Sequence, residues 1–361
     1  MIFAILATVP AQGQPALDHP AIHYYDGPLH DPVALLDPNQ LKFEGPSGYL
    51  RSVLDALHVP VGSQIAVFSK TSLQSPLIGP RNPRTIFFND SVAVGWMGGG
   101  FIELAAQDPQ QGTKFYTLQQ RPSLNPSFQR GTDCLRCHLV EATLEIPGLV
   151  AGSVFTAPNG APIESYGGTV VDHRTPLEER WGGWFVTGAP AEIRHRGNSV
   201  MGAQADSDVV ALLVFDHQRH MANLITRIGW DTRAGMGKLA ESARELVDYL
   251  LFVDEAPLTG KLGGPFAEAF GKNAVRDSKG RSLRDLDLQT RLLRYPCSYM
   301  IYSEAFDALP AAAKNAIYKR MRQVLSGSEK DKKYARLSAD DRRAILEILR
   351  ETKPEFARVV N

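Results

Sequence analysis

The sequence predicts an α+β protein, with a β-rich N-terminal half and a helical C-terminal half packed against it. Three observations carry this. Up to about residue 187, short runs rich in Val, Ile, Phe, Tyr and Trp are separated by Gly, Pro, Asn and Asp, the punctuation of strands and turns. From Asp206 onward apolar residues recur with the 3.6-residue period of helices. No clear linker divides the halves, so residues 12–205 and 206–361 are expected to form one compact unit.

The elements follow in order. One early helix is expected over residues 48–57, then a short apolar strand over 65–68. Residues 85–88 and 91–96 flank Asn89-Asp90 and read as a hairpin, with a further strand over 114–118. Ile86, Phe87, Phe88 and Trp96 are its core-forming side chains. Gly98-Gly99-Gly100 is followed by neither Lys nor a helix signal, so it is a turn and not a phosphate loop. Residues 119–148 form a Pro/Gly/polar stretch. Residues 149–156 and 162–166 flank Ala157-Pro158-Asn159-Gly160 as a second hairpin, and 168–173 and 183–187 complete the β-like part. Helices are expected over 207–227, 238–253, 311–325 (after Pro310) and from Ser338, whose partner Asp341 stands three residues on, to a stop before Pro354.

Lys and Arg number 39 and Asp and Glu 39, so net charge is zero, which speaks against nucleic acid or anionic lipid as a bulk electrostatic partner. Residues 2–9 form an apolar run and Val9-Pro10-Ala11 a small-x-small cleavage pattern, although no Lys or Arg precedes the run. Residues 1–11 are therefore expected to be a signal peptide, and the mature chain periplasmic or extracellular. No later segment reaches the roughly 20 apolar residues that a membrane-spanning helix needs.

The Pro/Gly/polar stretch contains Cys134-Leu135-Arg136-Cys137-His138, which spells C-x-x-C-H. With 3 Cys and 9 His in the chain, this arrangement is rare by chance. Thiols at this spacing can each add to one vinyl group of a haem, and the adjacent imidazole falls under the iron as its proximal ligand. A structural zinc site would need two more ligands at matching spacing, and the third cysteine, Cys297, stands far away between aromatics. The expected cofactor is one covalent haem c, with Cys134 and Cys137 as attachment residues and His138 on the metal. Cys297 is expected to be a buried free thiol.

The segments 81–90 (Arg-Asn-Pro-Arg-Thr-Ile-Phe-Phe-Asn-Asp), 180–184 (Arg-Trp-Gly-Gly-Trp) and 295–310 are similar to those of a group of secreted bacterial mono-haem proteins described as cytochrome c domain-containing. That resemblance extends over most of the chain, and it implies an exported haem c protein without assigning a reaction. Small class I cytochromes c differ in plan: they are all-helical, and their C-x-x-C-H lies near the N-terminus.

The distal position decides what such a haem does. With Val210 at 0° and about 100° per residue, His217 falls near −20° and Met221 near +20° within an apolar stripe of the helix over 207–227. A buried imidazole needs a partner, so His217 is the favoured distal ligand and Met221, one turn on, the second choice. His173 is the rival at a strand end; His220, on the stripe's margin, and His195 are expected to be solvated. An open distal site is the remaining option. Arg174 and Arg180, with Trp181, are candidate donors to the haem propionates, against ion pairs with Glu178 or Glu179. Arg136 is expected at a docking surface. The leading expectation is single-electron transfer through a six-coordinate haem to an unidentified redox partner protein; the alternative is a haem c enzyme or a gas or redox sensor with an open distal site.

Overall fold

The computed structural model describes residues 17–202, 204–272 and 274–360; the expected signal peptide lies outside them. Its β-rich half precedes its helical half, so the fold is α+β. Helix α1 (Leu50–Ala56) precedes a six-stranded antiparallel meander: β1 (Ile65–Val67), β2 (Arg84–Phe88), β3 (Val92–Trp96), β4 (Ile102–Asp108), β5 (Gly112–Leu118) and β6 (Gln129–Arg130). In β4 alternate side chains are buried, as expected of a strand whose two faces meet different surroundings. One face of the sheet, with Phe87, Val94, Leu104 and Tyr116, packs on Val53, Leu54 and Leu57 around α1. The other, with Ile86, Phe88 and Ala93, enters the main core with the helices.

After the sheet come the one-turn α2 (Leu135–His138) and the hairpin β7 (Gly152–Val154) with β8 (Gly168–Val170). Then α3 (Val209–Arg233) runs through the centre, followed by α4 (Leu239–Leu250), α5 (Pro265–Gly271), α6 (Glu304–Asp307), α7 (Ala311–Leu325), α8 (Ala339–Thr352) and α9 (Pro354–Val360). Asp208 caps α3, its carboxylate accepting from Val210 N and Ala211 N. Ser338 and Asp341 form the expected capping box on α8. Pro354 ends α8 as expected but also opens α9, a position where its missing N–H costs nothing.

Three departures have physical causes. Residues 102–108 carry no strand expectation because Glu103, Leu104, Ala105 and Ala106 favour helix, yet pairing with β3 and β5 on both sides makes them a central strand. The second hairpin pairs 152–154 with 168–170, while the expected arm over 162–166 contributes only a bridge from Pro162 to Thr156. The segment over 183–187 likewise makes only isolated bridges, Trp184 to Val67 and Thr187 to Asp208, and Gly183 at φ +84° turns the chain beside Ser69. Among the described residues no helix is long and apolar enough to cross a membrane.

Candidate functional site

The C-x-x-C-H segment lies at the edge of the meander. Gly131 N donates to Phe115 O directly after the short β6, which delivers the chain to α2 beside β5. Cys134 caps α2, and Cys137 N and His138 N both donate back to Cys134 O, so one helical turn separates the thiols. Cys134 is half-buried and Cys137 exposed, and neither forms a disulfide. Burial, with the nearby Glu103 carboxylate, pushes the Cys134 thiol up to about 11.

The ring of His138 is fixed from two sides. Its Nδ1–H donates to Gly148 O at 2.9 Å, and the ring packs on Phe115 with centroids 4.8 Å apart. With the proton on Nδ1, the lone pair sits on Nε2, which has no hydrogen-bond partner among the described residues. Burial lowers the pKa of His138, and the Arg84 guanidinium adds to this, so the imidazole is neutral, the form that ligates metal. Arg84 Nη1 donates to Glu103 Oε2 at 2.9 Å across Gly95, on the sheet face that also carries Phe115. Arg84 Nε is buried without a hydrogen-bond partner among the described residues. Local pattern does not connect Phe115, Gly148, Arg84 or Glu103 with the motif, since their proximity to it arises from strand pairing and a loop return. The donor set fits a c-type haem: two thiols on one turn and a neutral, oriented imidazole with Nε2 unclaimed. Cys134, Cys137 and His138 do not share an ion cage, and among the described residues no group of three or more His, Cys, Asp or Glu could hold a metal ion.

The C-x-x-C-H segment leans on α3 through the C-terminal part of that helix. Asn223 Oδ1 accepts from Leu149 N at 3.2 Å and its Nδ2 donates to Leu149 O at 2.9 Å; Arg227 Nη1 donates to Leu144 O at 3.0 Å. Trp230 clusters with Ile22, Tyr24 and Ile146, and Leu135 of α2 packs on that cluster. At about 100° and 1.5 Å per residue, these three positions lie roughly 80–140° round the axis from His217 and about 9–20 Å along it.

His217, expected as the distal ligand, is placed apart from the C-x-x-C-H segment, in a second buried centre. Its ring is fully buried; Nδ1 is 2.8 Å from His173 Nδ1 and Nε2 is 2.7 Å from Ser298 Oγ. Both nitrogens are thus committed. The rings of His217, His173, Tyr249 and Phe252 stack within 20° of parallel. The rival, His173, is in the same cluster, and Met221 is buried in the main core. His220 is buried beside Tyr249 and Arg174, contrary to its expected solvation, and His195 is half-buried, edge-on to Trp181.

The expected propionate donors also belong to this second centre. Arg180 is 1% exposed, with Nε on Thr175 O at 2.7 Å, Nη2 on His173 O at 2.8 Å and Nη1 3.5 Å from Asp216. Trp181, at φ +64°, donates Nε1–H to Asp216 at 3.0 Å. Arg174 pairs with Asp172 at 2.6 Å and lies over the Tyr249 ring. The partners are Asp216 and Asp172, not Glu178 or Glu179, and the donors of Arg180 and Trp181 are taken up inside the protein. Arg136 is exposed, and Cys297 is fully buried with its thiol pKa raised by that burial.

No protein-family model, curated protein or solved structure matches the chain.

The buried histidines make stability depend on pH. Burial, first among the causes, lowers His217 to about 3 and His220 to about 4, both below the unfolded value of about 6.5. Between those limits the unfolded chain binds more protons, so this contribution is complete above about pH 6.5 and is lost as pH falls towards 4, at up to about 1.4 kcal/mol per pH unit per histidine. Urea midpoints measured from pH 7 to 4 should fall accordingly, and the fall should be shallower in His220→Gln; an equal slope in that variant would refute the assignment.

Proposed function

We propose that this chain is an exported protein carrying one covalent haem c on Cys134 and Cys137, with His138 as proximal ligand, and that it exchanges single electrons with a redox partner protein. The observation that carries the reading is the hydrogen bond from His138 Nδ1 to Gly148 O, which holds the ring in the tautomer whose Nε2 can take a metal. In forming each thioether, a cysteine sulfur bonds to one vinyl carbon while its thiol hydrogen goes to the other. A c-type haem supplies reversible one-electron chemistry. Phe115 supports the His138 ring, and the Gly148 carbonyl raises its basicity as a ligand. Arg84, with its Nε unclaimed beside the site, is a better candidate donor to a propionate than the internally committed Arg180. The exposed Arg136 stands within the motif and suits a docking surface.

One observation favours the second reading, a haem c enzyme or sensor with an open distal site: both nitrogens of His217 are already bonded. Under that reading an exogenous ligand takes the position the sequence reserved for His217.

Protein produced in a strain competent for haem c maturation should give a haem-stained band under denaturing conditions and keep its haem in acidified acetone. Cys134→Ser and Cys137→Ser should each reduce covalent retention, and complete extraction from the unaltered protein would end the haem c reading. His217→Ala should leave the visible spectrum unchanged while lowering the urea midpoint, because it removes a core ring and strands His173 and Ser298. A switch from low-spin to high-spin spectrum in that variant would return His217 to the iron. Carbon monoxide added to the reduced, unaltered protein separates the two functional readings: rapid and complete binding selects the open site, and its absence selects the electron carrier.

A further inference from the structure

Between the end of α7 and one face of α8 lies a cleft of about 620 Å³ that opens to solvent. The volume falls within the roughly 300–1,000 Å³ of small-molecule sites. Its apolar wall is Leu325, Leu337 and Leu346, the first two buried beneath it and the third partly so. Ser326, Gly327 and Ala339 add small uncharged groups.

The charged lining, Arg342, Arg343, Glu347 and Arg350, comes entirely from α8. Arg342 belongs to the scaffold: its Nε, Nη1 and Nη2 donate to Leu337 O, Val324 O and Tyr334 O, each at 3.1 Å, which ties α8 to the end of α7. Glu347 Oε2 accepts from Lys279 Nζ and Arg281 Nη2, each at 2.8 Å, so its charge is matched. Arg343 pairs with Asp340; both are exposed, and such a pair contributes little. Arg350 is exposed and makes no ion pair or side-chain hydrogen bond with a described residue. Arg343, Leu346 and Arg350 stand at i, i+3 and i+7 on one face of α8, the two arginines roughly 10 Å apart along its axis. The cleft therefore joins an apolar wall to a free positive charge.

We propose that this cleft binds a small organic carboxylate with an apolar tail, its carboxylate on Arg350 and its tail against Leu325, Leu337 and Leu346. A guanidinium takes a carboxylate through two parallel N–H···O bonds, and each methylene laid on the leucines leaves water. Arg343 adds a second cation, exchanging Asp340 for the ligand at small cost. A bare inorganic anion would leave the leucines wet, and a neutral alcohol would leave Arg350 unanswered. Only a molecule with both parts matches both walls. The site is independent of the haem c reading.

The full chain would be titrated calorimetrically with sodium octanoate at constant ionic strength, with sodium acetate as the control for the charged group alone and 1-octanol for the tail alone. Octanoate should bind saturably at one site, and each control at least about tenfold more weakly. Arg350→Gln should weaken octanoate at least about tenfold and Arg343→Gln by less, with Tm unchanged in both because the side chains are exposed. No saturable octanoate binding, octanol or acetate binding as tightly as octanoate, or unchanged octanoate affinity in Arg350→Gln would each overturn the inference.

Discussion

The constraint on which the rest of the structure depends is the burial of α3 on nearly every side. A helix of 25 residues that keeps one face in water can place its polar side chains there. This one cannot: Asp216, His217, Gln218, Arg219, His220, Asn223, Thr226 and Asp231 are all buried. Each must find its partner inside the protein or carry the cost of going without one. The helix therefore organises its neighbours by its polar groups as much as by its apolar ones. Gln218 donates to Asn89 O at 2.6 Å in the β2–β3 turn and accepts from Tyr299 at 2.9 Å. Asn223 binds the backbone on both sides of Leu149, and Asp231 takes Arg227 at 2.9 Å.

That constraint divides the interior into two polar centres. Towards one side, His217, His173, Ser298, Tyr249 and the Asp216–Arg180 pair close on one another. Towards another, Asn223 and Arg227 grip the loop that returns from the C-x-x-C-H turn. The centres differ in what they leave open. In the first, most donors and acceptors are consumed, as befits a polar knot that specifies how the helices meet. In the second, the thiols, His138 Nε2 and Arg84 Nε are unclaimed among the described residues, on a braced framework of the kind a cofactor site requires.

The C-x-x-C-H motif is legible in the sequence because its signal is local: the spacing Cys134, Cys137, His138 is itself the pattern. The α+β division and the cap at Ser338 were legible for the same reason, resting on periodicity and on a four-residue pattern. The surroundings of His217 are not. Placing His217 on an apolar stripe correctly predicted its burial and its need of a partner, but the partner came from residues 44 and 81 positions away, His173 and Ser298. Periodicity also hid the depth of α3, because a stripe calculation presumes a wet face. Arg174, Arg180 and Trp181 look from sequence like donors in search of an acidic ligand; in the fold Asp172 and Asp216 answer them. Asp172, two residues from Arg174, is within reach of local pattern, whereas Asp216 meets Arg180 only through the fold.

The short helix α2 shows how the two halves cooperate. Four residues cannot hold a helical turn in water, since nucleation costs more than one turn returns. The turn persists because other elements clamp both its ends. Upstream, β6 pairs with β5 and Gly131 N is fixed on Phe115 O. Downstream, Gly148 N donates to His138 O while Gly148 O receives His138 Nδ1, so one residue grips both the backbone and the ring. Between them the Thr143 hydroxyl lies 2.9 Å from both Val140 O and Ile146 O and donates to one of them, and Leu144 and Glu145 turn the chain at φ +59° and +55°. Gly148 can fill this role because a Cβ there would meet Asn223 Oδ1 at 2.2 Å; only glycine brings the loop this close to α3. The spacing of two thiols and an imidazole is thus imposed by a sheet edge and a central helix that α2 did not build. The site is organised by the fold, with α3 as its backstop.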